Sequence, residues 1–436
     1  MSVIPVPPAG RAWVWPALLA AGLACADDVP LLADNIVPIE VRQFKAGQIN
    51  TIFVDVTVCD AASSCRTVPN VIVDTGSAGL HLFRDALDGL ELEAVSTVDG
   101  RPLSHWMNFG TRSLWGTIHR AQVGIGKVTT TQPIPIELHD MPSPSDRLPK
   151  AYLKVDSRDW LGRSANGILG ISPSRHTDGG YYVDRRGGGP QSMPDWRAVS
   201  VDTSRQLANP MAYFPAPYNN GSVIKMFDVE PGAAYPKLQG WLGLGVGLPT
   251  YGLFPGEARV IAQELDEQGR IPLLVGERRF DVLIDSGTNM LTLDLDHLHH
   301  RGILYRGGGD ERYDAPTATP IELTALCGKH KVKLAQPVYV GPAQALFWGD
   351  LGYAVVPALT ITTRLVQGQS MLGSPFFYGR TIATGLRGSV NPFCQPAPAA
   401  GLHGDVACDE ALAPYAPSPN GYVVYSDRAS SADGAD

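Results

Sequence analysis

Two aspartates stand where the surrounding pattern calls for apolar residues. In NVIVDTGSAGLHLF (70–83), Val71, Ile72 and Val73 run into Asp74; Leu80, Leu82 and Phe83 resume the run after Thr75, Gly76, Ser77 and Ala78. In FDVLIDSGTNMLTL (280–293), Val282, Leu283 and Ile284 run into Asp285, then Ser286, Gly287 and Thr288 precede Met290, Leu291 and Leu293. A buried carboxylate is costly unless it is hydrogen-bonded, paired or neutralised. One D-[ST]-G after an apolar run is a weak signal, often an ordinary strand-to-turn aspartate. A copy in each half of the chain makes each aspartate the natural partner of the other.

The chemistry of such a pair is specific. Two carboxylates in contact cannot both ionise easily, so they share one proton and titrate together. The ionised member can take a proton from a water held between them. The protonated member can donate to a carbonyl oxygen as a tetrahedral intermediate forms. Gly76 and Gly287 let the two backbones approach. Thr75 and Ser286 offer hydroxyls that bond across the junction, while Ser77 and Thr288 can bond the carboxylates themselves.

The elements that must position this pair follow from composition. At 436 residues the chain is long for one core, so two lobes are expected. Hydrophobic content of 44% with 18% charged residues describes a globular chain, and 47 Gly with 36 Pro favour turns and short strands over long helices. A net charge of −8 with no basic run argues against nucleic-acid binding. Tandem repeats of solenoid length are absent from the sequence.

Arg11 precedes the apolar stretch AWVWPALLAAGLACA, and the first acids are Asp27 and Asp28. Residues 1–26 are therefore expected to be a secretory signal with the small-residue site Ala24-Cys25-Ala26. Lipid attachment at Cys25 is the alternative and would give the only membrane association expected. Otherwise the protein is exported to the periplasm or cell envelope, or secreted. In that oxidising setting Cys59 and Cys65, flanking DAASS between two alternating strands, suit a hairpin disulfide. Cys394 and Cys408 are the next candidate pair, leaving Cys327 as a free thiol or as an alternative partner of Cys394.

With these motifs in hand, the chain resembles the two-lobed, pepsin-like aspartic peptidases. MNFGTRSLWGTIHRAQVGIG (107–126) resembles the flap hairpin of that family, and ANGILGIS (165–172) the segment that crosses behind the first aspartate. GWLGLGVG (240–247) resembles the end of the first lobe, and SMLGSPFFYGRTI (370–382) the second lobe's crossing segment. Within that group the details are most similar to an uncharacterised family of exported bacterial proteins. The resemblance implies a mostly β, bilobal fold with a central cleft and lobes at 45–249 and 250–426, while the polar, acidic composition of the end of the chain leads to the expectation of a disordered tail at 427–436. It implies an aspartic endopeptidase acting as a monomer on extended peptide or protein substrates, with Asp74 and Asp285 as the water-activating dyad. No cofactor or metal is needed by such a dyad.

Three departures accompany the resemblance. The flap position that usually carries tyrosine is Phe109, followed by Gly110 and Thr111; Trp106 and Trp115 are the neighbouring aromatic alternatives. A basic propeptide is not visible between the signal and the first expected strand. Residues 173–205 look like a long polar insertion, expected as an exposed loop at the cleft rim. These departures keep a second function open, a catalytically weak or inactive scaffold that binds peptides or envelope components. His297, His299 and His300 cluster in DLDHLHH without a known ligand spacing, and a solvated surface is expected there.

Overall fold

The computed structural model describes residues 33–42, 49–109, 112–139, 165–177, 179–185, 195–256, 258–295, 304–306, 312–315, 317–341, 352–358, 360–361, 369–395 and 406–427. Among these, strand is nearly the sole regular structure. The helical pieces are short, such as Ser374–Phe377, as the Gly and Pro content predicts. The expected signal at 1–26 with Cys25, the flap-tip residues Gly110 and Thr111, and His297, His299 and His300 lie outside the described residues.

Each motif aspartate stands at the end of a strand that becomes buried toward that end. Cys65–Asp74 is exposed where it leaves the hairpin with Ile52–Cys59 and buried over its final four residues. It lies parallel to Gly167–Ile171, with Asp74 opposite Gly170. The departing strand Ala78–Phe83 pairs antiparallel with the other edge of Gly167–Ile171, Gly79 again opposite Gly170. Thus the crossing segment sits between the strand that delivers Asp74 and the strand that carries the chain away. The second half repeats the plan. Arg278–Ile284 runs parallel to Ser370–Leu372, whose other edge pairs antiparallel with Leu291–Thr292.

A shared sheet joins the halves. Ile36–Arg42 pairs with Lys237–Leu244, which pairs with Gly221–Met226. Gly221–Met226 then pairs with Thr381–Gly385 from the second half, followed by Tyr422–Asp427 and Arg259–Glu264. Its apolar faces feed one core that includes Val73, Leu80 and Leu82 from the first motif, Val282 and Leu291 from the second, and Leu372 from the second crossing segment. Burial of these faces is the dominant stabilising term for both motif loops.

Three expectations need correction. The first described strand starts at Ile36, ahead of the expected lobe boundary at 45, because its partner Lys237–Leu244 needs a covering edge. Asp427 belongs to the last strand and not to a tail. Its carboxylate is buried, pairs with Arg259 Nη2 at 2.7 Å and accepts from the Ala335 and Gln336 N–H groups. The segment 173–205 is not simply a rim loop. Gly180–Asp184 adds to the flap strand Ser104–Phe109 and pairs with Trp196–Ala198, burying Tyr181 and Val183.

Both expected disulfides form, Cys59–Cys65 and Cys394–Cys408. Cys327 is a buried free thiol, which removes the Cys327–Cys394 alternative, and burial pushes it up to about 11. Among the described residues no helix is long and apolar enough to cross a membrane.

Candidate active site

The two aspartates meet at the junction of the halves. Gly76 N–H donates to Asp74 Oδ1 at 2.8 Å, and Ser77 Oγ donates to Asp74 Oδ2 at 2.5 Å. The second motif repeats these bonds, Gly287 N–H to Asp285 Oδ1 at 2.9 Å and Thr288 Oγ1 to Asp285 Oδ2 at 2.5 Å. In each loop the sequence D-x-G-[ST] turns tightly enough for the residues two and three places on to reach back to the carboxylate. A hydrogen bond donated to a carboxyl oxygen favours the ionised form of that group.

The remaining motif residues tie the loops together. Ser286 N–H donates to Thr75 Oγ1 at 2.9 Å, while Thr75 N–H donates to Ser286 Oγ at 3.1 Å. The same hydroxyls donate onward, Thr75 Oγ1 to Ile284 O at 2.9 Å and Ser286 Oγ to Val73 O at 2.8 Å. All four groups are buried, so each bond satisfies a polar atom that water cannot reach.

Glycine is required at both centres by close approach. A Cβ on Gly76 would lie 2.7 Å from Asp285 Cγ, and one on Gly287 would lie 2.6 Å from Asp74 Cγ. Each carboxyl therefore rests over the other loop's glycine, and the two carboxyls face one another across the junction. Burial, and then the facing Asp285 carboxylate, raise the Asp74 carboxyl well above its ordinary range; the Ser77 and Gly76 bonds oppose this without reversing it.

The flap sequence forms the hairpin Ser104–Phe109 with Arg112–Ile125, Phe109 opposite Arg112. The rings of Phe109 and His81 stand edge to face, 5.5 Å between centroids, and Phe109 packs against the buried cluster that includes Phe83 and Leu114. Trp115 is buried against Tyr182 and Trp196 of the added hairpin, at 5.3 and 4.8 Å between centroids. A cavity of about 140 Å³ opens beside the first motif, lined by Thr75, Ser77, Met107, Ser172, Thr177 and Leu283. It borders both halves and the flap.

Two supports were not singled out from the sequence. Ser374 Oγ donates to Ser286 O at 2.9 Å and its N–H donates to Thr288 O at 2.8 Å, fixing the second loop from behind. The only signal for it is position, directly after the apolar SMLG segment. Asn50 is wholly buried and donates to Asn289 O and Val356 O, while its Oδ1 accepts from Val356 N–H and Tyr378 Oη. A single Asn outside any motif carries no sequence signal for that role.

A family model described as "Protein of unknown function (DUF3443)" matches residues 32–400. No curated protein matches the chain. Among solved structures the chain is similar to an aspartic proteinase from Irpex lacteus, at 14% identity and a TM-score of 0.51, covering 91% of this chain and 98% of that one. At that identity the likeness shows the fold alone: a pepsin-like, mostly β architecture.

Proposed function

The chain belongs to this family of unknown function, and from the geometry of its site we propose that it is an exported aspartic endopeptidase in which Asp74 and Asp285 activate a water. The observation that carries this reading is the paired arrangement itself: two buried carboxyls, each over the other's glycine, held by reciprocal Thr75–Ser286 bonds. A binding protein gains nothing from two mutually repelling carboxylates, whereas water activation needs one proton shared between them.

Asp74, whose carboxyl is raised, holds that proton. Asp285 takes the proton of the attacking water as its oxygen bonds to the scissile carbonyl carbon. Asp74 donates to the carbonyl oxygen, giving a neutral gem-diol. Collapse then breaks the C–N bond: the diol returns a proton to Asp74 and the amine leaves with the one Asp285 had taken. The cavity by Met107 and Thr177 gives room for a substrate side chain, and the flap hairpin covers an extended peptide. Export is supported by the apolar leader and by two disulfides.

One observation favours the second reading, a scaffold that binds peptide without efficient cleavage. Phe109 has no hydroxyl to offer a substrate, and its ring packs inward on His81. Cleavage of a denatured protein from acid to neutral pH separates the two. Wild type cuts and both Asp74→Asn and Asp285→Asn do not; an inert wild type at every pH, or mutants as active as wild type, ends the peptidase reading.

A further inference from the structure

Beyond the dyad, a second group of titratable side chains is sealed inside the first half. His81 on Ala78–Phe83, His105 on Ser104–Phe109, and Glu137 and His139 on Ile134–His139 are each no more than 1% exposed. Glu137 Oε2 lies 2.6 Å from His81 Nδ1 and 2.7 Å from His105 Nδ1. His139 Nδ1 donates to Trp115 O at 2.9 Å and stands 3.6 Å from Glu137 Oε1. Its ring stacks parallel to that of His81, 6.0 Å between centroids.

Hydrogen bonding alone leaves this cluster incomplete. Among the described residues, Glu137 Oε1 has no hydrogen-bond partner. An unsatisfied buried polar atom costs about 1–3 kcal/mol, and among the described residues the carboxylate's ion-pair partners are histidines alone. The backbone makes room for the group: a Cβ on Gly179 would fall 2.0 Å from His105 Nε2.

We propose that His81, His105 and Glu137 form a closed site for a borderline divalent transition-metal ion, of which Zn²⁺ is the best match. One ligand atom from each of the three lies within 4.8 Å of the others. Two imidazoles and a carboxylate are the donor set such ions take, at about 2.0–2.2 Å per bond. The cation supplies the charge the buried carboxylate lacks, and Glu137 Oε1 becomes a second oxygen ligand. Ligands around a tetrahedral ion stand roughly 3.3 Å apart at those bond lengths, so loading spreads the 2.6 and 2.7 Å His–Glu contacts by roughly 0.6–0.7 Å. His139, anchored on Trp115 O, packs against the His81 ring and fixes its orientation. The site ties the first flap strand to the strand leaving the Asp74 loop, and holds whether or not the dyad cleaves peptides.

The test uses the whole exported chain, unfolded with chelator, refolded with or without one equivalent of ZnCl₂, and desalted. The expected result is one zinc retained per chain and a melting temperature several degrees higher than that of the chelated protein. Titration of the chelated wild type with Co²⁺ is expected to produce the visible d–d absorption of a low-coordinate nitrogen–oxygen site, saturating at one equivalent. His105→Gln and Glu137→Gln lose the retained zinc, whereas His330→Gln, at an exposed histidine, keeps it. Should the core variants fail to fold, the wild-type zinc content and cobalt spectrum decide alone. A wild type that refolds to the same stability without retained zinc and gives no cobalt spectrum overturns the site; so does zinc held equally by folded His105→Gln and Glu137→Gln.

Discussion

Thr75 and Ser286 each accept the other's backbone N–H on a side-chain hydroxyl, at 2.9 and 3.1 Å, and so lock two loops that come from opposite halves of the chain. The lock fixes the carboxyl separation, because each loop's aspartate lies one residue before the bonded group. Either hydroxyl also donates to a strand carbonyl. Removing Ser286 Oγ leaves the Thr75 N–H and the Val73 carbonyl without that partner inside the protein.

Ser286→Ala is therefore expected to cost about 1–3 kcal/mol of stability and most of the proposed peptidase activity. Thr75→Val keeps the shape, removes the hydroxyl and gives a similar loss. Urea unfolding with kcat/KM on the folded fraction measures both effects. Activity retained at the wild-type level in a destabilised Ser286→Ala would show that the lock serves the fold alone.

Gly76→Ala and Gly287→Ala place a methyl where the opposing carboxyl now lies. The loops or the carboxyls must shift, and a displacement near 1 Å costs on the order of 100-fold in rate. The expected outcome is a drop in kcat/KM of about that size, with a stability loss of roughly 1–3 kcal/mol from overpacking. Either variant keeping full activity would mean that the close approach is not needed for the chemistry.

The pH dependence follows from Asp74. Its carboxyl is raised above the ordinary 3.8, so the folded protein keeps a proton that the unfolded chain releases first. The group's contribution to stability is whole below the unfolded value and is lost as pH rises through the raised one. Asp74→Asn stays neutral throughout. Its melting temperature should exceed that of wild type near neutral pH, with the gap closing in acid. Wild-type activity should fall over the same window, since in the proposed mechanism Asp74 enters the reaction protonated. A gap that widens on acidification contradicts the assignment.

How much of this was legible in the sequence depends on the range of the interactions. The motif strands announced themselves because three apolar residues precede each Asp and the turn chemistry is local. Cys59 and Cys65 were readable for the same reason. The 173–205 segment was misjudged because its glycines and charges mask the inward Tyr181 and Val183, and its pairing partner His105 is remote in sequence. Ile36–Arg42 was missed as part of the fold because its partner strand comes some two hundred residues later. The His81, His105 and Glu137 cluster left no spacing signature, since its members meet only after three strands have paired.

The two disulfides should differ in what they contribute. Cys59–Cys65 closes a sequence separation of 6, and Cys394–Cys408 one of 14. Loop-closure entropy gives roughly 2 kcal/mol for the first and roughly 3 kcal/mol for the second. Replacing each pair by serine and unfolding in urea tests the order; a larger loss from the shorter loop would point to a native-state effect instead.

Phe109 bears most directly on how well the site works. Its ring stands edge to face with that of His81 and packs against the cluster that includes Phe83 and Leu114, so Phe109→Ala removes support from the flap strand and is expected to lower kcat/KM. Phe109→Tyr keeps that packing and adds a hydroxyl at the ring's far end. If the missing hydroxyl limits catalysis, one neutral hydrogen bond of about 0.5–1.5 kcal/mol raises kcat/KM by about 2- to 12-fold. The pH profile should not move, because the dyad is untouched. A Phe109→Tyr enzyme with unchanged kcat/KM would mean that this flap covers its substrate by apolar contact alone, and that catalytic efficiency is set by Asp74 and Asp285.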